Sequence, residues 1–198
     1  MKEKVILGIC ISFLLAFTVM SLLPVSGEEE IYDSMIRLHV LANSDSTADQ
    51  ELKLKVRDAV LEEAEKISCS GPDEAYIKAK SSLHLLKSAA EETIRAEGYD
   101  YSVDVVLGEE KYPERSYDGF SLPGGTYTSL RVLIGNAEGQ NWWCVLYPPL
   151  CTAAATEREE VFIAAGFTKG QYETITETDN KKYKIKFKIV EIIREIFE

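Results

Sequence analysis

The chain has 198 residues, 45% of them hydrophobic, enough for one well-packed domain that buries roughly 70% of its unfolded surface. Its 22 basic and 33 acidic residues leave a formal net charge of −11. That balance argues against a phosphate-backbone binder, which needs clustered Lys and Arg, and disfavours adsorption to anionic lipid.

Lys2 and Lys4 precede an apolar run from Val5 to Leu23, which Pro24 ends and Val25-Ser26-Gly27 joins to Glu28-Glu29-Glu30. A basic start, an apolar middle and small residues before a charged flank make residues 1–27 an export signal. Two fates stay open. Cleavage after Gly27 fits the small side chains there, while the run is long enough, at about 1.5 Å per residue, to span a bilayer as an uncleaved anchor. Either way the positive end stays inside, and residues 28–198 are expected to form a single extracytoplasmic domain.

Met35 to Ala42 reads as a buried strand, Asn43-Ser44-Asp45 as a turn, and Ser46 with Asp49 as a capping box opening a helix. Leu52, Val56, Ala59 and Val60 share one face of that helix, with Glu51 and Lys55 paired on another. Gly71-Pro72 starts a second helix, whose stripe of Tyr76, Ala79, Leu83, Leu86, Ala90 and Ile94 ends at Gly98. Alternation at Tyr101, Val103, Val105 and Leu107 then predicts a half-buried strand. Lys111 to Tyr117 is a short strand broken at Pro113, and Asp118-Gly119 with Pro123-Gly124-Gly125 forms the loop beyond. Ser129 to Gly135 and Asn141 to Tyr147 are strands joined by a turn at residues 136–139. Thr156 and Glu159 cap a short helix that Gly166 ends. A hairpin is predicted from Thr174 to Thr178 across Asp179-Asn180, its second strand alternating Tyr183, Ile185, Phe187 and Ile189 with lysines, followed by a short terminal helix. The fold class is therefore α+β: a mostly antiparallel sheet with two long helices packed on one face and short C-terminal helices.

Chemistry is sparse. His39, Ser44 and Asp45 are the ingredients of an acyl-transfer site, giving a secreted hydrolase as an alternative reading. They occupy one strand and its outgoing turn, however, with no nucleophile elbow around Ser44. No metal-ligand spacing is present, and Gly124-Gly125 precedes a strand, so it places no helix N-terminus against a phosphate. No cofactor is expected. In GQNWWCVLYPPLC, Gly139 to Cys151, a reversal at Tyr147-Pro148 brings Cys144 opposite Cys151 as a disulfide candidate. Trp142 and Trp143 point to opposite faces if this is a strand, leaving either one indole exposed as a binding anchor or both in the core.

RLHVLANSDSTADQELKLKVRDAV (Arg37 to Val60), LPGGTYTSLRVLIGNAEGQNWWCVLYPPLC (Leu122 to Cys151) and the terminal KIKFKIVEII closely resemble the stage II sporulation protein R family, in the same order and over nearly all of the exported region. The resemblance implies a non-enzymatic signal made in the forespore and exported into the space between the forespore and mother-cell membranes. There, members activate a membrane-embedded aspartic protease, which processes the sigma-E precursor. The protease's extracytoplasmic part is thus the expected partner, with Trp142, Trp143, Phe120 and the Asn43-Ser44-Asp45 turn as contact candidates. Cys69 lies outside the resembling segments and is the candidate unpaired thiol. A passive envelope structural protein remains a further alternative.

Overall fold

The computed structural model describes residues 7–8, 11–16, 28–67, 69–117, 119–150 and 157–176. The chain divides into two compact units, residues 31–178, and residues 1–30 together with 179–198. Of the second, only short helical stretches fall among the described residues, with Leu7, Ile11, Phe13, Leu14 and Leu15 exposed. The segment expected to direct export thus lies largely outside the described residues, as do the Lys-rich strand and terminal helix expected after Asp179. Among the described residues no helix is long and apolar enough to cross a membrane.

In order the elements are α1 (Glu28–Asp33), β1 (Ile36–Leu41), α2 (Thr47–Glu65), α3 (Pro72–Ser81), α4 (Leu83–Ala96), β2 (Val103–Tyr112), β3 (Arg115–Tyr117), β4 (Phe120–Leu122), β5 (Gly125–Ile134), β6 (Asn141–Tyr147), α5 (Arg158–Ala164) and α6 (Lys169–Thr176). Four strands form one sheet in the order β2-β5-β1-β6, and β3 pairs with β4 in a separate hairpin. β1 runs parallel to β5, while the β1–β6 and β2–β5 pairings are antiparallel. The sheet is mostly antiparallel, and the fold is α+β as expected.

Period-2 geometry gives the sheet two faces. Leu38 and Val40 lie in register with Leu130 and Val132 of β5, and these side chains are buried with Leu52, Val56 and Val60 of α2 and Leu86, Ala90 and Ile94 of α4. Burying each such aliphatic side chain contributes roughly 1.5–3 kcal/mol relative to exposure, before chain entropy is subtracted. Arg37, His39, Tyr127 and Ser129 belong to the opposite face, which the β3–β4 hairpin and Tyr32 help to cover. That face carries the polar chemistry.

Several local expectations need adjusting. The predicted second helix is two, α3 and α4, parted at Ser82. Lys55 reaches Glu97 rather than Glu51. Phe120–Leu122, expected as loop, is strand β4, and β5 begins at Gly125. Glu157 caps α5 without a side-chain hydrogen bond, and Thr156 lies outside the described residues. Thr174 to Thr176, expected in a strand, are the end of α6. There Thr168 accepts from the Gln171 backbone N–H at 3.3 Å, and Gln171 Oε1 accepts from the Thr168 N–H at 2.7 Å, a reciprocal cap that favours helix over hairpin.

Candidate functional site

The polar face begins with two residues that an otherwise apolar strand, IRLHVL, places side by side. Arg37 is fully buried, yet among the described residues no carboxylate appears among its contacts. Its Nε donates to the Cys144 carbonyl at 3.3 Å and its Nη2 to the Tyr117 hydroxyl at 2.5 Å. The guanidinium lies 4.2 Å from the Tyr112 ring centroid and 4.9 Å from that of Tyr127, so aromatic faces take over part of the lost hydration. Nη1 has no hydrogen-bond partner among the described residues.

His39 Nδ1 is 2.9 Å from Glu110 Oε1. An ionised carboxylate only accepts, so Nδ1 carries the proton there. Ser129 Oγ donates to Glu110 Oε2 at 2.8 Å, which leaves the Tyr112 hydroxyl to donate to Ser129 at 2.6 Å. Burial pushes the Glu110 carboxyl up, but hydrogen bonding from Ser129 and the charge and hydrogen bond of His39 outweigh it, and the net shift is downward. Burial raises the phenols of Tyr112 and Tyr127, keeping both neutral.

Asn43, Ser44 and Asp45 sit at the outgoing end of β1 and spend their polar groups internally. Asn43 Nδ2 and Ser44 Oγ both donate to Asp49 Oδ2 at the start of α2. Asn43 Oδ1 accepts from the Asn136 N–H at 3.0 Å, and Asp45 Oδ1 from the Gln140 N–H at 2.7 Å. The turn therefore ties β1, α2 and the β5–β6 connection together. Hydrogen bonds from Ser44 and then Asn43 hold the Asp49 carboxyl below its usual range. Ser46 caps α2, accepting from the Asp49 N–H at 3.1 Å, as its position implies. His39, Ser44 and Asp45 thus bond to three different partners, Glu110, Asp49 and Gln140. No acyl-transfer triad is assembled from them.

β6 lies at the sheet edge among the described residues and sends its two tryptophans to opposite faces. Trp142 packs under Arg57 of α2 at 4.8 Å, and Trp143 under Arg115 of β3 at 3.8 Å, with the His39 ring 5.4 Å away. Both indoles are half-buried. Arg115–Tyr117 and Gln140–Trp143 together line an open groove of about 410 Å³. Phe120 is elsewhere: only 2% exposed, it stacks on Tyr117 at 4.7 Å, because the Gly119 turn folds β4 back on β3. It is a core residue, not a surface one.

Cys144 is buried in β6, and Cys151 lies outside the described residues. Cys69 is a free thiol, which burial pushes above its ordinary value and so keeps protonated. Among the described residues no cluster of His, Cys, Asp and Glu suits a metal ion. Sequence reasoning missed Glu110, Ser129, Arg37 and Arg115. A usable signal existed: Arg37 and His39 on β1, and Tyr127, Ser129 and Arg131 on β5, each recur with period two inside apolar strands, marking a second, polar face.

No solved structure matches. A family model described as stage II sporulation protein R (spore_II_R) matches residues 32–157, which takes in every strand among the described residues and the groove. Stage II sporulation protein R of Bacillus subtilis (strain 168) is 33% identical in an alignment of 223 residues that covers 100% of both chains. The chain belongs to the stage II sporulation protein R family.

Proposed function

We propose that this chain is a sporulation signal that is exported from the forespore and activates a membrane-embedded aspartic protease, which then processes the sigma-E precursor. The observation that carries this reading is the match to stage II sporulation protein R along the whole chain. The geometry agrees with action by contact, because His39, Ser44 and Asp45 are each bonded to a different group of the fold and not to one another. Such a ligand works by binding the active arrangement of its target more tightly than the inactive one.

A deletion strain of a spore-forming host tests it. Precursor processing is lost in that strain, is restored by the full chain, and is not restored by a copy lacking residues 2–27. Normal processing in the deletion strain would instead mark a passive envelope component. Export also exposes cysteines to oxidation, and Cys144 with Cys151 is the proposed disulfide. Alkylation of the exported protein before and after reduction should reveal two thiols released by the reductant. Release of none removes the bond from the proposal.

A further inference from the structure

The groove at the start of β6 has a composition at odds with the rest of the chain. The formal net charge is −11, yet no carboxylate lies among Arg115–Tyr117 and Gln140–Trp143. Arg115 is exposed and makes no ion pair among the described residues. Its guanidinium rests 3.8 Å from the centroid of Trp143. A guanidinium held flat on an indole keeps its N–H edge available in a fixed plane, which suits two-pronged bonding to a carboxylate, and the ring shields one side from water. Trp142, backed by Arg57 on the other face, forms the second wall. Gln140 and Asn141 are exposed on the lining of the groove and offer amide groups to a neighbouring backbone.

We infer that this groove receives an extended segment of a partner protein and that an Asp or Glu side chain of that segment pairs with Arg115. The segment is extended because the groove lies at the start of β6, the edge strand among the described residues, where a strand-like peptide lies alongside. It is acidic because, among the described residues, the groove lining has Arg115 outside any ion pair and no carboxylate. It is anchored by Trp142 and Trp143, rigid rings that contribute contact area at low entropic cost. Arg115 positions the carboxylate and the tryptophans supply the apolar contact. This inference rests on the activation reading above and assigns it a surface.

The test reconstitutes processing in a non-sporulating host that makes the full chain, the protease and the sigma-E precursor together. Arg115→Glu should lower the processing rate about tenfold or more, since a favourable charge pair becomes a like-charge clash, while exported amount and melting temperature stay those of wild type. Gln140→Glu adds a negative charge at an exposed wall position and should lower the rate in the same direction, and it carries the test if Arg115→Glu misfolds. Wild-type rates in both folded variants overturn the groove and leave the activation reading intact. A wild-type chain that triggers no processing overturns the activation reading and the groove with it. A wild-type dimer in sedimentation that Arg115→Glu makes monomeric also overturns the inference, by naming a second copy as the occupant.

Discussion

Asp49 accepts two side-chain hydrogen bonds from a turn that precedes it in sequence, and so holds the end of β1 against the start of α2. Its folded-state pKa is depressed, so it contributes stability that is present above the ordinary carboxylate value of 3.8 and is lost as pH falls through the lower folded value. Asp49→Asn should lower stability at neutral pH by about 1–3 kcal/mol, the cost of leaving half-buried donors poorly paired. The gap between variant and wild-type melting temperatures should narrow on acidification below about pH 4, the usual carboxylate range. A gap that is constant with pH would show that the Asp49 charge is irrelevant. The same turn sets a steric demand on Gly139, where an added Cβ would stand 2.2 Å from the Ser44 carbonyl oxygen. Gly139→Ala therefore needs a main-chain shift and should cost about 1–3 kcal/mol, lowering the melting temperature by several degrees, at about 2–4 °C per kcal/mol for a chain of this size. Little of this was legible beforehand. The sequence marks residues 43–45 as a turn, but whether their polar groups face a partner or each other depends on the β5–β6 connection, far along the chain.

The β3–β4 hairpin is the element that closes the polar face, and it is small. Three paired positions hold it together, from Arg115↔Leu122 to Tyr117↔Phe120, and Tyr117 anchors it to the buried Arg37. Tyr117→Phe keeps the ring stacked on Phe120 but leaves Arg37 Nη2 without its acceptor. The expected loss is about 1–3 kcal/mol for an orphaned buried donor. Faster amide hydrogen exchange concentrated in residues 115–122 is the measurable sign, and unchanged exchange there would detach the hairpin from Arg37. Legibility at this scale follows length and periodicity. β6 and the capped start of α2 match expectation because alternation and Ser46 specify them locally. β4 escaped notice because all three of its residues are buried, leaving no alternation to read. The break at Ser82 was invisible because Ala79, Leu86 and Ala90 continue one stripe across it. The threonines of α6 suggested a strand by their branching, but Thr176 donates to the Tyr172 carbonyl at 2.9 Å, a bond that lets threonine settle in a helix.

At the scale of the molecule, the first strand of the sheet is flanked by the last two. Arg37 reaches the Cys144 carbonyl across 107 positions, and β1 has no strand neighbour other than β5 and β6 among the described residues. A chain stopped after Leu122 keeps β1 and β2 but lacks the strand that lies between them. It should give no cooperative thermal transition by circular dichroism, whereas residues 28–178 should melt in one step. A sharp transition in the shorter fragment would show that the helices alone make a core. Loop-closure entropy must be met before such distant pairing stabilises anything, so the sheet forms late and all at once. The consequence reaches into biosynthesis. While the ribosome is still adding the middle of the chain, IRLHVL has neither of these two strands to lie against, and this part of the sheet can close only after β5 and β6 have been made.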